Sequence, residues 1–287
     1  MRNFVIDNIV VGDCHIKENA IDELDSIFSE IITYKSKKLI ILGDYYHSNR
    51  PTGKELEFGT RWIDSFRNLY EEVVLIKGNH EASSDNCTCV DYLRYLNIGV
   101  VDTYIKDDCY FAHHFLSESE LAFGTGKYSI ADLKDYRYVL LGHQHKFQEL
   151  APNMYHLGAV RKCDFGEAFY SQPRIALFKD GELEFKELKS PSQIIICSHP
   201  NELKGLNENS RILYIFNSFE QFLNEIGEVN IQKPLFKELK MKMNFKKDDK
   251  KYEKNENQSF KELFQAFLEN LAPDVKKELE EVIEYEI

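Results

Sequence analysis

Five short segments of this 287-residue chain set metal-type side chains directly after apolar runs. Gly78, Asn79, His80 and Glu81 follow Val73, Val74, Leu75 and Ile76; Asp13 and His15 follow Ile9, Val10 and Val11. Asp44 follows Leu39, Ile40, Ile41 and Leu42; His113 and His114 follow Tyr110, Phe111 and Ala112; His143 and His145 follow Val139, Leu140 and Leu141. Carboxylate, carboxamide and imidazole are the oxygen and nitrogen donors that divalent cations take. Two cations held close together need a bridging carboxylate with further donors on each side. Asp44 is the natural bridge, as the lone carboxylate of its segment and the middle of the motif order. Asp13, His15 and His145 then complete one cation, and Asn79, His113 and His143 the other, with His114 competing with His113. A water held between two metals becomes a nucleophile near neutral pH, and the same charge stabilises a phosphoryl group. The chemistry indicated is phosphoester cleavage.

The elements that must hold these residues are legible from periodicity. A strand over 8–15 runs into the Asp13 loop, and Ile21, Leu24, Ile27, Phe28, Ile31 and Ile32 recur at helical spacing between Glu18 and about Tyr34. A strand at 38–43 delivers Asp44. A loop with Asn49, Arg50, Pro51 and Gly53 leads into a helix carrying Leu56, Phe58, Trp62, Ile63, Phe66 and Leu69. The third strand ends at Gly78, and Val90, Leu93, Leu96 and Ile98 suggest a shorter helix. This alternation predicts an α/β sheet with helices on its faces and the motifs at the carboxyl ends of its strands. Residues 99–116 read as two strands, 136–142 as another, and 173–188 as a hairpin turning at Lys179, Asp180 and Gly181. Beyond Ser190 the motif chemistry stops. The predicted domains are 1–190, a catalytic domain, and 191–287, a small α+β cap. In the cap, 211–217 reads as a strand, 218–226 as a helix, 228–245 as further strand, 246–258 as a polar linker, and 259–271 as an amphipathic helix that a second, acidic one follows.

Composition narrows the function classes. A formal net charge of −12 argues against coating nucleic acid by bulk electrostatics, since that affinity comes from neutralising phosphates with Lys and Arg. It leaves room for a nucleic-acid enzyme, because bound divalent metal cancels part of the charge. The six cysteines, at 14, 87, 89, 109, 163 and 197, form no CxxC pair and read as reduced thiols. No apolar run is long enough to predict a membrane span, and the first residues do not read as a signal peptide, so an intracellular, cytoplasmic location is expected. His199 reads as structural, and His156 as either structural or functional.

Gly12-Asp13-Cys14-His15, Gly43-Asp44, Gly78-Asn79-His80-Glu81, His113-His114 and Gly142-His143-Gln144-His145 together resemble the ordered signature of the calcineurin-like metallophosphoesterases. Within that superfamily, the stretch from Gly43 to Thr52 resembles the corresponding loop of SbcD-type DNA-repair nucleases. So does Tyr155 to Arg161 followed by Asp164-Phe165-Gly166-Glu167, although Pro-Gly-Ser usually stands where His156 to Ala159 are. The stretch between Asn79 and His113 is shorter than in most such nucleases, and the small cap is similar to that of compact phage-encoded relatives. The resemblance implies a sandwich of two mixed β-sheets flanked by helices, with manganese-type ligands at Asp13, His15, Asp44, Asn79, His113, His143 and His145. It favours His113 over His114 as the ligand. It implies that His80 orients the scissile phosphate or protonates the leaving oxygen, and that His47 helps place the DNA backbone. It further implies a homodimer and an ABC-type ATPase partner of the SbcC kind, docking on the helices of 259–287. The competing readings are a metal-dependent phosphatase or phosphodiesterase acting on a small molecule or nucleotide, and a scaffold whose site has decayed. The intact motif set argues against the scaffold, and the Pro51 loop and the cap argue for a polymer.

Overall fold

A computed structural model describes residues 6–82, 88–122, 126, 128–206, 210–217, 221–222, 224–226, 229 and 238–243. The chain opens with β1 (Ile6–Val11), a short 3-10 turn (Glu18–Ala20), α1 (Ile21–Ile31), β2 (Ser36–Ile41), α2 (Gly53–Leu69) and β3 (Glu72–Ile76). After a 3-10 helix at Asp91–Leu96 come β4 (Gly99–Val101), β5 (Thr103–Lys106) and β6 (Cys109–Ala112). The short α3 (Ile130–Leu133), β7 (Tyr138–Leu141), β8 (Gln148–Ala151), β9 (Met154–His156), β10 (Arg174–Lys179) and β11 (Glu182–Glu187) follow. The last three strands are β12 (Ile194–Cys197), β13 (Arg211–Phe216) and β14 (Glu238–Met243).

These strands build two mixed sheets and a third, smaller one. The first sheet has the order β11-β10-β1-β2-β3-β4, with β1 to β4 parallel and β10 and β11 antiparallel to their neighbours. The second has the order β5-β6-β7-β9-β8, with β6, β7 and β9 parallel. The unbroken apolar runs of β1, β2 and β3 are explained by burial on both faces. Ile9, Val11, Leu39, Ile41, Val73 and Leu75 pack on Leu24, Ile27 and Phe28 of α1 and Phe58, Trp62 and Phe66 of α2. The alternate residues Val10, Ile40, Leu42, Val74 and Ile76 meet Phe111 and Leu140 of the second sheet. Period-two alternation thus sends one set to the helices and the other between the sheets. Tyr110, Ala112, Val139 and Leu141 turn outward to a third cluster with Leu133 and Met154.

Turn chemistry refines the sequence reading in two places. Residues 99–116 hold three strands rather than two, because Asp107 and Asp108 both take positive φ, 50° and 59°, and close a two-residue hairpin between Lys106 and Cys109. The expected hairpin at 173–188 turns in the same way, with Asp180 and Gly181 at φ 52° and 79°. The helix expected after Val90 is a 3-10 helix that stops at Asn97, which is left-handed at φ 59°.

Beyond residue 190 the strands β12, β13 and β14 form a parallel three-stranded sheet. It is joined to the first part of the chain through Ile194 and Leu213 packed on Phe165 and Ala168, and through Arg211, whose Nη1 donates to the Lys162 carbonyl at 2.6 Å. Glu23 and Glu30 of α1 accept from the backbone N–H groups of Ser192 and Ser190, both at 2.8 Å. The linker and helices expected over 246–287 lie outside the described residues, as does much of the helix expected over 218–226. Among the described residues, no helix is long and apolar enough to cross a membrane.

Candidate metal centre

The carboxyl ends of β1, β2 and β3 meet those of β6 and β7 at one edge of the sandwich, and all five motifs lie there. The approach is too close for side chains at all four motif glycines, Gly12, Gly43, Gly78 and Gly142. A Cβ on Gly78 would lie 2.0 Å from Asp44 Oδ1, and one on Gly142 would lie 2.3 Å from the Leu42 carbonyl and 2.6 Å from Asp13 Oδ1. The backbone is also held in a sparsely populated region at three donors: His15, Asp44 and His143 have φ of 48°, 44° and 81°. Non-glycine residues rarely adopt such angles, and they persist where the surroundings over-determine them.

The donors form two groups that share one carboxylate. Asp13, His15 and Asp44 have ligand atoms within 4.8 Å of one another, and so do Asp44, His113 and His143. His145 joins the first group, with its Nε2 2.7 Å from His15 Nε2 and 3.9 Å from Asp13 Oδ2. Asn79 joins the second, with Oδ1 3.0 Å from His113 Nε2. His113 Nε2 also lies 3.3 Å from Asp44 Oδ2. All seven residues expected as ligands are therefore brought together. His114 is not with them: its ring contacts Tyr110, with the hydroxyl 3.0 Å from Nε2, and its Nδ1 donates to the Phe115 carbonyl at 3.1 Å. His80 and His47 stand at the rim beside His15, with ring centroids 4.7 and 5.4 Å from it. His80 Nδ1 donates to the His47 carbonyl at 2.7 Å, which leaves its Nε2 free to face the site, 4.0 Å from Asp44 Oδ2.

Several residues behind the donors had no assigned role in the sequence. Glu81 is wholly buried and accepts from Gly78 N–H at 2.7 Å and Tyr46 N–H at 3.0 Å, so one carboxylate ties the loop after β2 to the loop after β3. Burial and the nearby Asp44 charge push its carboxyl up to about 7. Glu167 accepts from His145 Nδ1–H at 2.5 Å and from Cys163 N–H at 2.6 Å. Such carboxylates fix the ring orientation of a ligating imidazole. His156 is structural: it is wholly buried, its Nδ1 donates to the Gly142 carbonyl at 3.1 Å, and its Nε2 accepts from Ser119 Oγ at 2.6 Å. Glu81→Ala leaves two buried backbone N–H groups without an acceptor. The expected cost is about 2–6 kcal/mol, at roughly 1–3 kcal/mol per group, read as a lowered denaturant midpoint together with weakened metal binding.

The donor chemistry fits divalent cations. His113 Nδ1–H donates to the Leu42 carbonyl at 2.7 Å, so in the neutral ring Nε2 is a lone pair facing the oxygens of Asn79 and Asp44. His145 Nε2 is likewise a lone pair, because Nδ1 carries the proton given to Glu167. Converging lone pairs with no proton between them call for a cation. Without one, a proton takes the place: burial opposes the charged form of His113, but the carboxylates of Asp13 and Asp44 outweigh it and raise the ring to about 9. Burial and neighbouring imidazoles lower His15 to about 2 and His143 to about 4, so these rings stay neutral. A cation entering the His113 group must displace the proton that this ring holds below about pH 9. Apparent affinity is therefore expected to rise with pH up to that point, by up to about tenfold per unit for one proton. Calorimetric titration with manganese at two pH values, in buffers of different ionisation enthalpy, measures both the slope and the released proton.

Comparison with known proteins gives the following. The profile of the family described as calcineurin-like phosphoesterase matches residues 9–199. No curated protein matches the chain. Among solved structures, an archaeal phosphodiesterase is similar at 18% identity and a TM-score of 0.40, over 63% of this chain and 99% of that one. The nuclease MPE of Pseudomonas putida is similar at 20% identity and a TM-score of 0.33, over 62% of this chain and 87% of that one.

Proposed function

The chain belongs to the calcineurin-like phosphoesterase family of metal-dependent hydrolases, and from that premise we propose that it is a two-metal phosphodiesterase hydrolysing DNA. Its role is that of a nuclease subunit of the SbcD kind, working as a homodimer with an ABC-type ATPase. The observation that carries the two-metal reading is the position of Asp44 in both donor groups. Asp13, His15, Asp44 and His145 would hold one cation and Asp44, Asn79, His113 and His143 the other. Manganese is the ion that the resemblance implies. When bound, the ions supply Lewis-acid charge and a deprotonated water near neutral pH.

The chain's own residues do the rest. The Nδ1–H of His80 is fixed on the His47 carbonyl, so its Nε2 keeps one direction, toward the substrate side of Asp44. In the protonated ring that nitrogen donates to a phosphate oxygen or to the leaving oxygen. His47, Ser48, Asn49 and Arg50 form an exposed rim beside the donors. That rim, and the likeness of 43–52 and 155–167 to SbcD-type sequence, support an extended phosphodiester rather than a small ester. The proposed ATPase dock over 259–287 lies outside the described residues.

The test is hydrolysis, with manganese added, of labelled linear duplex and single-stranded DNA beside bis-p-nitrophenyl phosphate, with Asp44→Ala as the blank. Cleavage of DNA by the wild type, with an inactive blank, is expected. Cleavage of the small ester alone, also with the ATPase subunit present, would overturn the DNA reading and leave the phosphodiesterase standing.

A further inference from the structure

Cys163 lies in the same place as two of the nitrogen donors. Its Sγ and ring nitrogens of His15 and His145 all lie within 4.8 Å of one another, a further group of metal-type atoms at this edge of the sandwich. With a metal–sulfur bond of about 2.3 Å and metal–nitrogen bonds of about 2.0–2.1 Å, sulfur and nitrogen on one ion stand about 3.1 Å apart at a right angle, as in a five- or six-ligand shell, and about 3.5 Å apart at a tetrahedral angle. The observed limit of 4.8 Å leaves a shift of roughly 1–2 Å at most, within reach of a χ1 adjustment. We propose that Cys163, giving up its thiol proton to solvent as the ion binds, is a thiolate ligand of the cation held by His15 and His145, making that half of the centre selective for thiophilic ions such as zinc or iron(II) over manganese. The inference rests on the two-cation reading above and assigns the ion class of one half.

The surroundings point the same way. One carboxylate fixes both donors: Glu167 Oε1 takes the Nδ1 proton of His145, and Oε2 takes the backbone N–H of Cys163. His145 thereby presents Nε2 as a lone pair toward His15 Nε2, 2.7 Å away, where two nitrogen donors converge. Among the described residues the thiol makes only a long approach, 3.9 Å, to the Arg161 carbonyl, so little there holds it from turning to an ion. Cys14, by contrast, packs in the core with its Sγ 3.6 Å from the Gly12 carbonyl, and it belongs to none of the donor groups. The two halves of the centre then differ in softness. Asn79, His113 and His143 offer oxygen and nitrogen alone, while the His15 half adds sulfur, and soft ligands select softer ions.

The test uses cobalt(II) as a spectroscopic probe, titrated anaerobically into the metal-free full chain. Visible d–d bands report ion binding by imidazole and carboxylate, and an intense near-ultraviolet charge-transfer band reports a thiolate bond. Both are expected in the wild type. Cys163→Ser and Cys163→Ala are expected to keep the visible bands and lose the charge-transfer band, and Cys14→Ala to keep both. The preference for zinc over manganese in competition should fall by at least about tenfold in the Cys163 variants. Visible bands without charge transfer in the wild type, or charge transfer persisting in Cys163→Ser, would overturn the role of Cys163 and leave the cation centre intact. A wild type with no cobalt spectrum would overturn both readings.

Discussion

Replacing Asp44 with alanine is expected to abolish cation binding in both halves of the centre and to lower phosphodiester hydrolysis by about 10³-fold or more. Lewis-acid stabilisation of the transition state is worth several kcal/mol, and each 1.4 kcal/mol or so is a factor of ten in rate. The double effect follows from position. Asp44 Oδ2 lies 3.6 Å from His15 Nε2 and 3.3 Å from His113 Nε2, whereas Asp13, 3.9 Å from His145 Nε2, meets His113 only at Nδ1, 3.6 Å away, the nitrogen that faces the Leu42 carbonyl. Burial would favour its neutral form, but the hydrogen bond and charge of His113, with His15 behind, keep the carboxyl well below its ordinary range. It is therefore charged and ready to bridge at any working pH. Alanine also brings a backbone penalty, since residue 44 has φ of 44°, where aspartate and asparagine are better tolerated. Asp44→Asn separates the two contributions. The carboxamide keeps an acceptor for His80 N–H, now 2.9 Å from Oδ1, and tolerates the backbone angle, while removing the charge. Metal content by mass spectrometry, beside the thermal midpoint of each variant, measures the difference. Full metal occupancy in Asp44→Ala would sink the bridging role.

How much of this centre the sequence disclosed depends on the range over which each interaction acts. Each donor follows an apolar run that is buried on both faces, so strand and ligand are read together: Val10 and Val11 before Asp13, Leu140 and Leu141 before His143. The choice between His113 and His114 was not decided by the residues themselves, because alternation only places neighbours on opposite faces. The packing decides which face is which: Phe111 points between the sheets and Tyr110 outward, and His114 goes with Tyr110. The supports were hidden for another reason. Glu167 meets His145 across 22 residues, and His156 meets Ser119 across 37, and no local pattern marks either pairing. Glu81 stood inside a recognised motif, yet nothing local tells a carboxylate that clamps two backbone N–H groups from one that faces solvent. The strands β8, β9 and β12, of three or four residues each, were not read in the sequence.

His80→Ala is expected to separate metal binding from catalysis: both cations stay, and the turnover number falls by about 10²–10⁴, the usual worth of a positioned acid or base. The reason is that His80 serves the centre through two different atoms. Its backbone N–H holds Asp44 Oδ1, and alanine keeps that bond. Its ring reaches the site only from the rim, with the side chain about a third exposed and Nε2 4.0 Å from Asp44 Oδ2, farther than either His15 or His113. Removing the ring should therefore leave both donor groups complete. His47 is the built-in control. It anchors His80 through its carbonyl, not its side chain, so His47→Ala keeps the His80 tautomer. That variant is expected to raise KM for DNA more than it lowers kcat, since its exposed ring places substrate without taking the reacting proton. A further control is the leaving group. If His80 protonates the departing oxygen, a substrate with a good leaving group such as p-nitrophenolate needs that proton less. The loss in His80→Ala should then be smaller on bis-p-nitrophenyl phosphate than on DNA. Equal losses on both would assign His80 to phosphate orientation alone, and metal loss matching that of Asp44→Ala would remove the division of roles.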